Sequence, residues 1–214
     1  MVVPPHFFAL SRCYFRAAFP SESQMQDKAT LRKQLRATRR EHVEQLPEPM
    51  RGLVFRHPPA PLLEKIAPDA TIGLYHANSH EAPTASYIAH FYERGHKVAL
   101  PRFIKREAPM EFAELNDPFG ESDLETGPFG MKQPREEASA TLPDMLFVPL
   151  VGFTALGERM GQGGGHYDRY LAKHPGCIAI GLAWDVQLCD ELPIEPHDQR
   201  LDAVITPTRM YGPF

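Results

Sequence analysis

The densest chemical signal in the chain is GERMGQGGGHYDRYL, in which Gly157, Gly161, Gly163, Gly164 and Gly165 stand between an apolar run and a helix-like segment. Glycines packed this closely let successive backbone N–H groups turn toward one anion with no Cβ in the way, and a following helix adds the positive end of its dipole. That chemistry is phosphate binding. The spacing misses GxxxxGK[ST], and no GxGxxG reading exists because the third glycine would fall on His166 or Asp168. Glycine clusters are in general more often flexible surface loops. Here Arg159 supplies a guanidinium for phosphate oxygens and Asp168 a hard-oxygen ligand suited to Mg²⁺, which favours a functional loop.

Two further constellations carry charge. In KATLRKQLRATRR, Lys28, Arg32 and Arg36 recur at intervals of four on one helical face, while Leu31 and Leu35 face elsewhere. A solvated basic face is the plain reading, and it is the one expected for Arg36, Arg39 and Arg40. In YHANSHEAPTASY, Glu81 lies beyond a strand and just before a helix. It can serve as a helix-start carboxylate favoured by the dipole, or as the acceptor for paired N–H donors of a flat ring. His76 and His80 are spaced i, i+4, yet no HExxH pattern or third ligand accompanies them, so zinc is not expected.

These residues need elements to hold them. A helix is expected from about Asp27 to Gln45, stopped by Pro47 and Pro49; prolines 58, 59, 61 and 68 then leave at best a short helix near Leu62 to Ile66. TIGLYH (71–76) reads as a buried strand, Thr84 to Glu93 as a helix closed by Gly95, and KVALPRF as the next strand. MEFAEL (110–115) alternates as a half-exposed strand does, and 117–135 reads as a long loop. DMLFVPLVGF (144–153) is the most apolar stretch, HYDRYLAKH looks helical to about Lys173, and CIAIGLAW and LDAVITP supply two more strands. Alternation of strands and helices predicts an α/β fold: a single domain with a mostly parallel sheet flanked by helices and MEFAEL as an antiparallel edge strand.

A chain of 214 residues with 43% hydrophobic content can bury one such core but is short for two. The formal charge of −4 gives no global attraction to nucleic acid or anionic lipid, so neither is an expected partner and any anion site must be built locally. Cys13, Cys177 and Cys189 form no CxxC pair, which argues against a disulfide framework and for a reducing, cytoplasmic setting. No apolar run reaches the length of a membrane span. Residues 1–24 bear Arg12 and Arg16 and no acid before Glu22; they read as a leader outside the 25–214 domain, either a transit segment or, preferred, the product of a start upstream of Met25.

With these parts in order along the chain, a family is recognisable. The run R-M-G-Q-G-G-G-H-Y-D-R resembles the signature of the 5-formyltetrahydrofolate cyclo-ligase family, and four other segments agree: the K-x-x-x-R helix opening, the E-x-x-T segment from Glu81 to Thr84, ETGPFGMKQP, and the closing ELPIEPHDQRLDAVITP. The resemblance implies ATP-dependent closure of 5-formyltetrahydrofolate to 5,10-methenyltetrahydrofolate, with Mg²⁺ and with small molecules as partners; the sequence does not set the oligomeric state, a monomer being the favoured expectation. It puts Lys28, Arg32, Arg159, Gly161, Gln162, Gly163, Gly164, Gly165, His166 and Tyr167 on ATP. It puts His76, Glu81 and Phe129 on the folate, together with Gln162, Gly163, Gly164, Gly165 and His166, and assigns the metal to Asp168 and Asp198. Arg159 and Asp168 would carry catalysis, with no protein nucleophile. Asp202 is expected to serve structure at a strand start. The sequence departs from the family at His166, where an aromatic is usual, and at Gln162 and Gly164, where some members carry basic residues. Alternatives are a phosphotransferase acting on another substrate and a folate- or nucleotide-binding regulatory protein without turnover.

Overall fold

In the computed structural model, which describes residues 22–214, a long helix α1 (Glu22–Gln45) is followed by two short helices, α2 (Glu48–Leu53) and α3 (Ala60–Leu63). Then come β1 (Thr71–Gly73), α4 (Ala85–Glu93), β2 (Lys97–Arg102), β3 (Glu111–Glu114), β4 (Leu124–Thr126), β5 (Lys132–Pro134) and β6 (Ala140–Thr141). The second half holds β7 (Met145–Pro149), β8 (Gly152–Thr154), β9 (Arg159–Met160), α5 (His166–Lys173), β10 (Ile178–Leu182), β11 (Leu188–Cys189), β12 (Ala203–Ile205) and β13 (Met210–Tyr211). Eight strands form one sheet in the order β13-β12-β10-β7-β1-β2-β3-β6. The central neighbours β12, β10, β7, β1 and β2 pair in parallel, and β13, β3 and β6 join antiparallel at the two sides. The mixed α/β architecture expected from strand and helix alternation is thus present.

The sheet is covered on both faces, and β7 makes the reason plain. Met145 and Phe147 enter one core with Ile72, Leu74, Tyr87, Phe91 and Ile180, whereas Leu146 and Val148 enter the other with Phe112, Tyr170, Leu171 and Val204. A strand buried on both faces reads as continuously apolar, which is why DMLFVP stands out in the sequence. Helix α4 contributes to the first core and α5 to the second. At Gly73 a Cβ would collide with Leu146 Cδ2 and the Pro143 ring, so β1 packs against its neighbours at a distance only glycine permits.

Several local expectations shift. Strand β1 stops at Gly73 rather than at His76, and the run 144–153 divides into β7 and β8, which lie in different sheets. β3 is antiparallel to β2 as expected, but β6 pairs outside it and takes the edge. The expected loop 117–135 contains the β4–β5 hairpin. Arg39 is not on a solvated face: it is buried, and its NH1 donates to the Leu150 carbonyl at 3.1 Å. Leu31 and Leu35, two turns and one turn before Arg39 on the same face of α1, pack on Val151, Met160 and Leu192. Helix α1 runs through Met25, while residues 1–21, most of the expected leader and Cys13 with it, lie outside the described residues.

Candidate active site

A parallel sheet leaves a crevice at the carboxyl ends of its strands where successive connections leave in opposite directions. Here β1 connects to β2 on one side while β7 lies on the other. A cleft of about 240 Å³ opens there, lined by residues that follow β1, β2 and β9 and by α1, the β4–β5 hairpin and the segment before β12.

The glycine loop forms one wall. Gly163 (φ 104°) and Gly165 (φ 62°) occupy left-handed backbone that other residues adopt only under strain. Gly165 sits at the start of α5, and Asp168 in its first turn. Arg159, with a side chain only 2% exposed, holds Asp168 Oδ1 at 2.7 Å, and the same oxygen accepts the Gln199 N–H at 3.0 Å. The two residues expected to act on phosphate and metal are therefore each other's partners in this state. Arg159 Nε is buried and has no partner among the described residues.

The basic face of α1 makes a second wall. Lys28 Nζ lies 2.7 Å from Asp198 and 3.0 Å from Glu195, and Arg32 Nε donates to the Gly161 carbonyl at 3.0 Å. Arg36, although exposed, donates through Nε to Gln162 Oε1 at 3.0 Å and through NH2 to the Gln162 carbonyl. Three charges at helical spacing thus fasten the loop and the C-terminal segment to one helix. Arg36 keeps the solvated face expected of it and adds these bonds to the loop.

Opposite lies the segment after β1. Thr84 spends its hydroxyl on the Tyr75 carbonyl at 2.6 Å, and the Tyr75 hydroxyl donates to the Ala82 carbonyl at 2.7 Å, folding the chain so that Glu81 borders the cleft. One Glu81 oxygen accepts the Asn78 N–H at 3.0 Å; the other accepts Gln162 Nε2 at 3.1 Å. Burial, and then the Glu81 charge, holds the phenols of Tyr75 and Tyr167 well above the ordinary tyrosine range, so both stay neutral donors. His76 lines the cleft 3.7 Å from Glu121, whereas His80 does not line it and lies 3.6 Å from Glu44.

The remaining wall is aromatic. Phe103 meets Phe129 at 4.9 Å and His166 at 4.7 Å between ring centroids, and Phe129 meets His166 at 5.4 Å. Edge-to-face contacts of this kind set ring edges and faces along the wall, against which a ring system can pack. His166 takes part as an aromatic would, and burial followed by the Arg169 charge keeps its imidazole below the usual range.

Every residue assigned to ATP, folate or metal from the sequence borders this cleft. Arg36, Tyr75, Phe103, Glu195 and His197 were not singled out for the site. Arg36 could have been found from the i, i+4 series, and Phe103 from its place beyond an apolar strand. Glu195, His197 and Asp198 present ligand atoms within 4.8 Å of one another; Asp168 is not in that group. The carboxylates are hard-oxygen donors of the kind Mg²⁺ takes, with Lys28 now sharing their charge. His197 is not a usual Mg²⁺ ligand.

A sequence profile of the 5-formyltetrahydrofolate cyclo-ligase family matches residues 24–207. The chain belongs to that family. Cyclo-ligase relatives include the Escherichia coli K12 protein, 31% identical over 147 residues that cover 66% of this chain and 80% of the relative. The Mus musculus cyclo-ligase is 28% identical over 63% of this chain and 71% of its own. Among solved structures, the 5,10-methenyltetrahydrofolate synthetase of Mycoplasma pneumoniae superposes with a TM-score of 0.60 at 25% identity, covering 84% of this chain and 98% of that one. The Aquifex aeolicus synthetase superposes with a TM-score of 0.69 at 24% identity over 87% of this chain and 92% of that one, a likeness of fold. The cyclo-ligase signature proposed from the glycine loop is accordingly embedded in a cyclo-ligase fold.

Proposed function

We propose that this family member closes 5-formyltetrahydrofolate to 5,10-methenyltetrahydrofolate, converting ATP to ADP and phosphate. The observation that carries the reading is one cleft lined by two unlike sets of groups. Loop N–H groups, Lys28 and Arg159 line it together with Glu81 and the Phe103–Phe129–His166 cluster. A polyphosphate and a pterin need those two environments, adjacent.

The chemistry explains why both substrates must meet. A formamide oxygen is a poor leaving group. Transfer of the γ-phosphoryl group to the formyl oxygen, with ADP leaving, gives an iminium phosphate at N5; the N10 amine then attacks the formyl carbon, loses its proton, and phosphate departs. No side chain has to form a covalent bond. The protein's work is positioning and neutralising charge on the moving phosphoryl group. Lys28 and Arg32 are placed to bind phosphate oxygens, with Gly161 to Gly165 offering N–H groups. Glu81 accepts from the pterin, and Phe129 and His166 flank its ring. Mg²⁺, held by Asp198 and Glu195 with Asp168 nearby in the same cleft, would neutralise phosphate charge.

Ligand entry requires exchanges of partner. Lys28 must share or release Asp198 and Glu195 to reach phosphate, and Glu81 must release Gln162 to reach a pterin. The deciding experiment follows methenyl product by absorbance from 5-formyltetrahydrofolate, with and without ATP and Mg²⁺. Product is expected only with both. Turnover without ATP would overturn the mechanism, and binding of both ligands without product would identify a protein that binds without turning over.

A further inference from the structure

Gln162 stands inside the glycine loop, and its side chain reaches two other parts of the chain at once. Its Oε1 accepts Arg36 Nε, from α1, at 3.0 Å, and its Nε2 donates to Glu81 Oε1, ahead of α4, at 3.1 Å. Arg36 NH2 adds a bond to the Gln162 carbonyl. A carboxamide held between a guanidinium and a carboxylate satisfies both in one orientation only, oxygen toward the cation and N–H toward the anion, so the bridge fixes which way the amide points. It joins α1, the loop and the β1–α4 segment across sequence separations of 126 and 81 residues.

The Glu81 end of this bridge can be exchanged. The other Glu81 oxygen accepts the Asn78 N–H at 3.0 Å, and Asn78 Oδ1 accepts the N–H groups of His80 at 3.0 Å and of Glu81 at 3.1 Å, so that contact belongs to one local turn and travels with it. Gln162 comes from elsewhere. It is exposed, as Arg36 is, and Gly161 and Gly163 on either side leave the backbone free to reorient, Gly163 already lying at φ 104°. Its Nε2 offers Glu81 an amide N–H, the kind of donor a pterin ring also offers. Solvent weakens such a contact, and a ligand with the same donor can take its place.

We infer that the Gln162 side chain competes with the pterin for Glu81, and that this exchange couples the binding of the two substrates. The inference rests on the proposed function, which puts the pterin on Glu81 and phosphates on the loop N–H groups. Gln162 lies within the run Gly161 to Gly165 that must close on phosphate, and a loop tied to Glu81 at that residue is not free to close. Both substrates therefore need the tie broken. Whichever binds first breaks it and the second meets a loop already released, which is positive and reciprocal coupling. Arg36 is a positioning residue in this scheme: it acts on Glu81 only through Gln162, by turning the amide N–H toward the carboxylate. One exposed hydrogen bond with a charged acceptor supports a coupling of roughly threefold to tenfold.

The test is calorimetry with 5-formyltetrahydrofolate and with a non-hydrolysable ATP analogue plus Mg²⁺, each alone and each in the presence of the other, on the wild-type chain, Gln162→Leu, Arg36→Met and Arg36→Lys. In wild type each ligand should tighten the other by the same factor, roughly threefold to tenfold. Gln162→Leu keeps the backbone N–H and much of the side-chain volume but loses both side-chain bonds. It should bind 5-formyltetrahydrofolate alone more tightly than wild type, by about the wild-type coupling factor, and bring the coupling ratio close to one. Arg36→Met should move both quantities in the same direction by less, and Arg36→Lys should keep most of the wild-type ratio. A merely structural strap predicts the opposite sign, weaker folate binding once Gln162 is gone. Weaker or unchanged folate binding by Gln162→Leu, or a wild-type ratio of one, would overturn the inference. Coupling without methenyl product would sink the proposed reaction and leave the exchange standing, while product formed with a ratio of one would do the reverse.

Discussion

Arg159 and Asp168 form a pair in which both side chains are largely out of water, at 2% and 14% exposure. Removing one partner of such a pair strands the other, an effect of about 3 kcal/mol. Asp168→Asn should therefore lower the urea midpoint as well as turnover, the latter on the order of 100-fold if the carboxylate helps hold a metal that neutralises phosphoryl charge. Raised Mg²⁺ should restore part of the turnover. A lower midpoint with near-normal turnover would assign Asp168 to holding Arg159 alone. Glu81 allows a cleaner separation, because its contact with Gln162 can survive as an amide–amide bond. Glu81→Gln should weaken folate binding by tenfold or more while leaving ATP binding nearly unchanged, since only the pterin loses a charged acceptor. Equal loss for both ligands in calorimetry would make Glu81 structural.

At the level of elements, the glycine loop is a strap between β9 and α5 pinned to α1 by Arg32 and Arg36 and to the β1–α4 segment by Gln162. Its shape depends on φ values that only glycine adopts freely. At Gly163 a Cβ would have room, with the nearest atoms of Arg32 at 3.5 Å, so Gly163→Ala isolates the cost of φ 104°, about 1–2 kcal/mol of strain. The loop should relax locally, raising KM for ATP roughly tenfold, as steady-state kinetics would record, with little change in melting temperature. Gly73→Ala is the counterpart within the sheet: the added methyl meets Leu146 and Pro143, an overpacking worth about 1–3 kcal/mol. It should lower the melting temperature by several degrees and leave KM for ATP unchanged in the folded protein. The opposite assignment of effects would mean that the loop supports the core.

Across the whole molecule, α1 is the element that ties the N-terminal region to the site, reaching the glycine loop and the segment before β12. A chain beginning at Met25 would lose only Glu22, Ser23 and Gln24 from that helix. It should melt and turn over like the full chain; a clear loss of activity would return residues 1–24 to the domain. What could be read without a structure was local. The glycine cluster, the bounds of α4 and α5, the doubly apolar β7 run and the family signature each depend on residues within one short window, where backbone freedom and hydrophobic period act directly. Asp202 too, expected at a strand start, accepts the Ala179 N–H there at 2.7 Å. Tertiary structure alone decided which charges meet. Lys28 finds Asp198 from 170 positions away and Arg36 finds Gln162 from 126, while Arg39, one turn on from Arg36, is buried under Leu150. Pairings of that kind follow from sheet order and from where α1 crosses the strand ends. Neither is set by helical or strand period, so the same basic stripe reads as solvated face, loop clamp or buried anchor until the sheet is assembled.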